Sequence, residues 1–167
     1  NESAIEFYQS YLKVNPKANK ARIAFAQMLV AEKNFIMARG QFKQLLAQSL
    51  GDANVAIAVG LLSIELRDFY AAEESFKKAL ELGYKDLSTI RFYLGSIYAQ
   101  TNRLDKAMES FRSVVRGKQF LTAQIRYAYL LSKQGKLIKA REHLQKLPVK
   151  NDQERSLLIV SEAEFLR

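Results

Sequence analysis

Cysteine and tryptophan are absent from the 167 residues, histidine occurs once, and there are only two prolines and seven glycines. Without cysteine there is no disulfide, no zinc ribbon, no iron–sulfur cluster and no thiol nucleophile. A transition-metal site would have to be built from carboxylates, and none of these cluster at ligand spacing. So little Gly and Pro is too little punctuation for an all-β chain. The longest apolar run, Val55 to Leu62, is eight residues, far short of the ~20 that a membrane-crossing helix needs. No charged-then-apolar signal segment opens the chain, and its first residue is Asn1 rather than Met, as expected of a mature or excised piece of a longer protein. Walker loop, nucleophile elbow and Gly-rich dinucleotide turn are all missing. Glu73 and Glu74 are adjacent, so on a helix they point about 100° apart and cannot work as a close carboxylate pair. A non-enzyme with no cofactor is expected.

What is present is helical. At 49% hydrophobic and 26% charged the chain is apolar enough to fold, and its length suits one domain or one run of small repeats. Good helix formers dominate, and apolar residues recur at i, i+3, i+4 and i+7, as in Phe92, Gly95, Tyr98 and Ala99. Alanine recurs at Ala4, Ala38, Ala72, Ala107 and Ala140, with spacings of 34, 34, 35 and 33. Four residues after each stands a large apolar residue: Tyr8, Phe42, Phe76, Phe111 and Leu144. Positions i and i+4 share a helix face, so each unit pairs a small residue with a knob. Three residues before the later alanines come Phe35, Phe69, Leu104 and Leu137, each after a polar turn. Before that turn lies another helical pattern centred on a small residue: Ala26, Gly60, Gly95 and Ala128. The unit is helix, short turn, helix.

These residues resemble a tetratricopeptide repeat (TPR) array. Tyr93-Leu94-Gly95-Ser96-Ile97-Tyr98, followed by Ala107, Phe111 and Val114, is the best match, and Gly60, Ala72, Phe76 and Ala79 make the next. The resemblance implies an all-α, right-handed solenoid of antiparallel helix pairs with nine to ten helices. Residues 1–16 read as a half unit, 19–52, 53–87, 88–120 and 121–153 as full units, and 154–167 as the first helix of a further one. Gly60 and Gly95 fall on the family's packing position. Gly40, inside a helix, reads as a close helix contact, while Gly51, Gly83, Gly117 and Gly135 read as caps or turns. His143 reads as a solvated helix residue. The units also look like those of multi-repeat proteins in bacterial cell envelopes, which tilts localisation toward the envelope or periplasm.

In the family, first helices line a concave groove that holds a protein or peptide. Positions counted from the unit starts imply a groove of Ile23, Gln27, Ile57, Leu61, Phe92, Tyr93, Ser96, Arg126 and Tyr129. The Lys, Asn and Arg that grip a terminal carboxylate in some relatives are met only by Arg126, so a clamp on a free chaperone tail is not expected. Partner side chains are expected instead, with aromatics and Arg as anchors and no small-molecule substrate. The formal charge of +9 concentrates in residues 101–150, which hold 12 basic and 3 acidic residues. Arg112, Arg116, Lys136, Lys139 and Lys146 form a basic band on the second helices, the convex side by the same resemblance. Such a band attracts polyanions, yet aromatics do not interleave with it as single-strand binding requires, and nucleic acid is not the expected partner. A structural spacer within a longer array is the other alternative. The apolar Leu157, Leu158, Ile159, Val160, Phe165 and Leu166 suggest that more chain follows, or that end helices self-associate.

Overall fold

A computed structural model describes residues 2–48 and 52–165. Gly51 and Leu166 lie outside the described residues. Ten helices and no strands occur among the described residues, distributed over two units, residues 1–85 and 86–167.

The first unit holds α1 (Glu2–Val14), α2 (Asn19–Ala31), α3 (Phe35–Gln48), α4 (Ala53–Glu65) and α5 (Phe69–Glu81), each packed on the next from α1 to α5. Three residues join α2 to α3 and α4 to α5, and the middle one takes the left-handed conformation: Lys33 at φ 59° and Arg67 at φ 57°. The third residue then reaches back over the helix end, Asn34 N–H donating to Leu29 O and Asp68 N–H to Ser63 O, both at 2.8 Å. That bond closes a Schellman turn and reverses the chain, so consecutive helices form hairpins. Ala38 and Ala72 are wholly buried, as are Ala26 and Phe76. A Cβ on Gly60 would stand 2.9 Å from the Phe76 ring, so only glycine lets α4 close on the knob from α5. Leu12, Phe25, Leu29, Ala38 and Leu62 form one apolar cluster, with Tyr8 and Phe42 packed against it.

Two arginines tie this unit together. Arg22 is buried, and its guanidinium donates to the Gln41 and Gln44 side chains and to Pro16 O, joining the α1–α2 turn to α3. Arg39 donates to Asp68 Oδ2 at 2.8 Å and to Ser63 Oγ at 3.2 Å, joining α3 to the α4–α5 turn. Asp68 also caps α5 through Ala71 N–H. The Arg39 bond, ahead of that cap bond, holds the Asp68 carboxyl below its ordinary 3.8.

The second unit holds α6 (Leu87–Gln100), α7 (Leu104–Arg112), α8 (Phe120–Lys133), α9 (Leu137–Gln145) and α10 (Asp152–Phe165). The same hairpin device recurs, with Asn102 at φ 57° and Gly135 at φ 78°, and Arg103 N–H and Lys136 N–H reaching back to Tyr98 O and Leu131 O. Ala107, Ala128 and Ala140 are wholly buried, and a Cβ on Gly95 would stand 2.8 Å from the Phe111 ring. Helix α10 packs on α8 and α9 and contributes Leu158 to a cluster with Ala128, Leu131, Ala140 and Leu144. Leu157, Ile159 and Val160 on the same helix are exposed.

Two expectations need correction. Gly40 is exposed, and a Cβ there would meet nothing within 4 Å, so no close contact calls for it. His143 is half-buried rather than solvated. Gln124, itself buried, spends its amide hydrogens on Phe111 O (3.2 Å) and Val114 O (2.7 Å) at the end of α7. Its oxygen therefore accepts, and His143 Nε2, 2.8 Å away, carries the hydrogen. The imidazole also meets the Tyr127 ring edge-on at 4.8 Å. Burial first, then the Arg112 and Lys146 charges, hold its pKa below the ordinary 6.5.

Candidate partner-binding site

In the first unit, α2, α3 and α4 together frame one surface. Gln27 and Val30 from α2, Phe42 from α3, and Ala58, Leu61 and Leu62 from α4 line an open concavity of about 310 Å³. Two of the four residues expected here, Gln27 and Leu61, are in its lining. Ile23 is exposed but outside it, and Ile57 is buried among the helices. The lining has no charged side chain, so this surface offers hydrophobic contact and one amide.

The second unit builds a different surface from equivalent helices. Ser96, Ala99 and Gln100 of α6, Phe111 of α7, and Arg126, Tyr129 and Leu130 of α8 line a concavity of about 270 Å³. Arg126 is central to it. Its guanidinium lies 5.1 Å from the Phe92 ring centre and 5.8 Å from that of Phe111, within cation–π range of both. Arg126 Nη1 donates to Ser96 Oγ at 2.8 Å, and that hydroxyl donates onward to Phe92 O at 3.1 Å. Burial lowers the Arg126 pKa, though arginine keeps its charge in any protein setting. Among the described residues no carboxylate pairs with it. Tyr129 is exposed beside it, with Lys133 Nζ 5.2 Å from the tyrosine ring centre. Tyr93 stands outside the concavity, edge-on to Phe92 at 5.4 Å.

Sequence reasoning missed the part played by Phe111. Its place four residues after Ala107 marks it as a core knob, yet the same ring also floors the concavity beneath Arg126. Phe42, marked in the same way as a core knob, likewise joins the apolar site of the first unit. The basic band is spread along α7, α9 and their flanking turns. Arg112 and Lys136 line a separate recess of about 300 Å³ together with Asp105, Glu109 and Tyr127, so its positive charge is partly offset by two carboxylates. Arg116, Lys139 and Lys146 are exposed outside that recess. No helix among the described residues is long and apolar enough to cross a membrane.

A family model described as "Tetratricopeptide repeat" matches residues 53–82 and 90–116, the two stretches that hold Gly60, Ala72 and Phe76 and then Gly95, Ala107 and Phe111. Over those two stretches the chain matches the tetratricopeptide repeat. Its TPR fold is that of solved structures at low sequence identity. A structure of MamA superposes with a TM-score of 0.75 at 17% identity, over 98% of this chain and 89% of that one. YrrB, described as "a TPR protein with an unusual peptide-binding site", gives 0.66 at 17% identity over 83% of this chain and 71% of its own. Among curated proteins the chain is 26% identical over 137 residues to the RNA polymerase-associated protein CTR9 of Caenorhabditis elegans, covering 81% of this chain. It is 24% identical over 170 residues to the human protein O-mannosyl-transferase TMTC1, covering 99% of this chain. It spans only 12% of the length of the first and 18% of the second.

Proposed function

We propose that this TPR segment is a non-enzymatic scaffold that holds a segment of a partner protein against the first-helix faces of its repeats. The observation that carries the reading is the Arg126 constellation, a cation that no carboxylate pairs with among the described residues, lying on two aromatic rings beside an open concavity. Arg and aromatic side chains dominate binding energy at protein interfaces. The apolar recess of Gln27, Val30, Phe42 and Leu61 supports it independently, because concave apolar surfaces of that size are where partner side chains lodge. Ile23, Phe92 and Tyr93 belong to the proposed face as flanking residues.

The test is a selection of peptides from a displayed random library with blocked carboxyl termini, followed by photo-crosslinking. Benzoylphenylalanine placed at position 61 or 129 should capture a selected peptide, and the same group at position 139, in the basic band, should not. Capture at 139 alone would overturn the proposal.

A second reading has its own observation. Leu157, Ile159 and Val160 are 46%, 62% and 55% exposed on α10, an apolar face of the kind that a further repeat covers in a longer array. Under that reading the segment is a spacer, and peptide selection yields nothing.

A further inference from the structure

The pairing of Arg126 with Ser96 over two phenylalanine rings has a consequence for what the second unit can bind. We infer that this concavity takes an internal acidic side chain, Asp or Glu, from the partner segment, with an adjacent apolar side chain lodged beside it. The inference rests on the scaffold reading above and adds the chemistry of the partner.

Three features of the site argue for it. Among the described residues Arg126 spends a single N–H, from Nη1, on Ser96, which leaves the rest of its planar fork to a carboxylate. The Phe92 and Phe111 faces and the Ser96 oxygen hold that fork in place, so little rotamer freedom remains to be lost when a ligand binds. Finally, no lining residue is acidic, and Lys133 adds a second positive charge at the Tyr129 rim. Burial already weakens the hold of water on this guanidinium, which strengthens its attraction to an incoming anion.

The shape narrows the source of that anion. Ala99, Phe111, Leu130 and the Tyr129 ring give the recess apolar walls, suited to the side chain beside an Asp or Glu. A polyanion such as single-stranded DNA would instead need a row of cations with stacking aromatics, and the site has one central guanidinium. A terminal carboxylate is bracketed in other sites by several Lys and Asn side chains, and none lines this one.

The experiment uses the full 167-residue chain and the blocked-terminus peptides selected on it. Most selected peptides should contain Asp or Glu next to an aliphatic or aromatic residue. Changing that acid to its amide in the peptide should weaken binding about tenfold or more, and Arg126→Gln should do the same. Combining the two should cost little beyond either alone, because both remove one interaction. Arg126→Lys, which keeps the charge and loses the fork, should recover only part of the affinity, and circular dichroism of each variant checks that the helices persist. Selected peptides that crosslink at position 129 but tolerate the amide would overturn this inference and leave the scaffold reading standing. Failure to select any peptide would overturn both. Displacement of the peptide by equimolar single-stranded DNA, lost in Arg126→Gln, would overturn it in favour of a nucleic-acid surface.

Discussion

Asp52 and Asp68 cap α4 and α5 of the first unit with carboxylate oxygens, whereas α7, α8 and α9 of the second begin at Arg103, Gln119 and Lys136, none of which accepts a bond from its helix. A cation at a helix N-terminus also opposes the macrodipole. The second helices of the first unit run to 14 and 13 residues, and those of the second unit stop at 9. Beyond the shortened α7, a side chain does what a further helical turn would do, with Gln124 satisfying the Phe111 and Val114 carbonyls. The same repeat is thus built in two ways. The first unit caps α4 and α5 with carboxylates, although α2 starts at Ala18 with no side-chain cap, and the second leaves α7, α8 and α9 uncapped, shortens its second helices and gathers positive charge. Asp86, which caps α6 through Thr89 N–H and is held below its ordinary pKa by the Thr89 hydroxyl, repeats the first unit's device, and Asn151 does so with an amide oxygen that accepts from Glu154 N–H at the start of α10.

The largest effect that tests this comparison lies in what the units share. Phe76→Ala and Phe111→Ala should each cost about 3–5 kcal/mol, read as shifts in urea midpoint, because each ring fills the space opposite a glycine. A cost at only one of the two would break the equivalence of the units. Ala72→Leu and Ala107→Leu should each overpack a helix crossing by about 1–3 kcal/mol, and unchanged midpoints for both would contradict the alanine register. The caps should move stability in opposite directions. Asp68→Ala should destabilise by about 0.5–2 kcal/mol, and Lys136→Ser should stabilise by up to about 1 kcal/mol. Two shifts of the same sign would remove the contrast between the units.

The smallest effect is in pH dependence. His143 titrates below 6.5 in the folded chain, so in mildly acidic solution the unfolded chain binds a proton that the native one refuses. Its contribution is complete above pH 6.5 and declines as pH falls toward the native value. Asp68 titrates below 3.8 when folded, so its contribution is complete above that value and is lost only at lower pH, as the native carboxylate protonates. His143→Gln should therefore flatten the stability profile just below pH 6.5, and Asp68→Asn should leave that window unchanged. A profile with the same slope in wild type and His143→Gln would refute the assignment.

Much of the fold was legible because it rests on spacing. Ala38, Ala72, Ala107 and Ala140 mark one buried face per repeat, and Gly60 and Gly95 mark the close approach of an aromatic knob. His143 was misread because its hydrogen-bond partner, Gln124, lies 19 positions away and carries no local signal. Gly40 was misread because a helix pattern shows which residues face inward and not what stands opposite them. For the candidate site, family positions pointed to Ser96, Arg126 and Tyr129. The floor supplied by Phe111 is a product of packing between α6, α7 and α8, and no count along one helix reaches it. Ile57 illustrates the converse, a residue in groove register that is buried among its neighbours.

The measurement that bears most directly on the central claim, that the first-helix faces rather than the basic band recognise the partner, is surface binding kinetics with one selected peptide. Four chains suffice: wild type, Tyr93→Ala, Tyr129→Ala, and a variant with Lys136, Lys139 and Lys146 all changed to Ala. The account predicts that loss of a true anchor among the two tyrosines raises Kd roughly thirtyfold, about 2 kcal/mol, through faster dissociation. The triple-lysine variant should alter the association rate and its salt dependence and leave dissociation nearly unchanged. Wild-type binding by both tyrosine variants, with no binding by the lysine variant, would contradict the account and make the basic face the functional one.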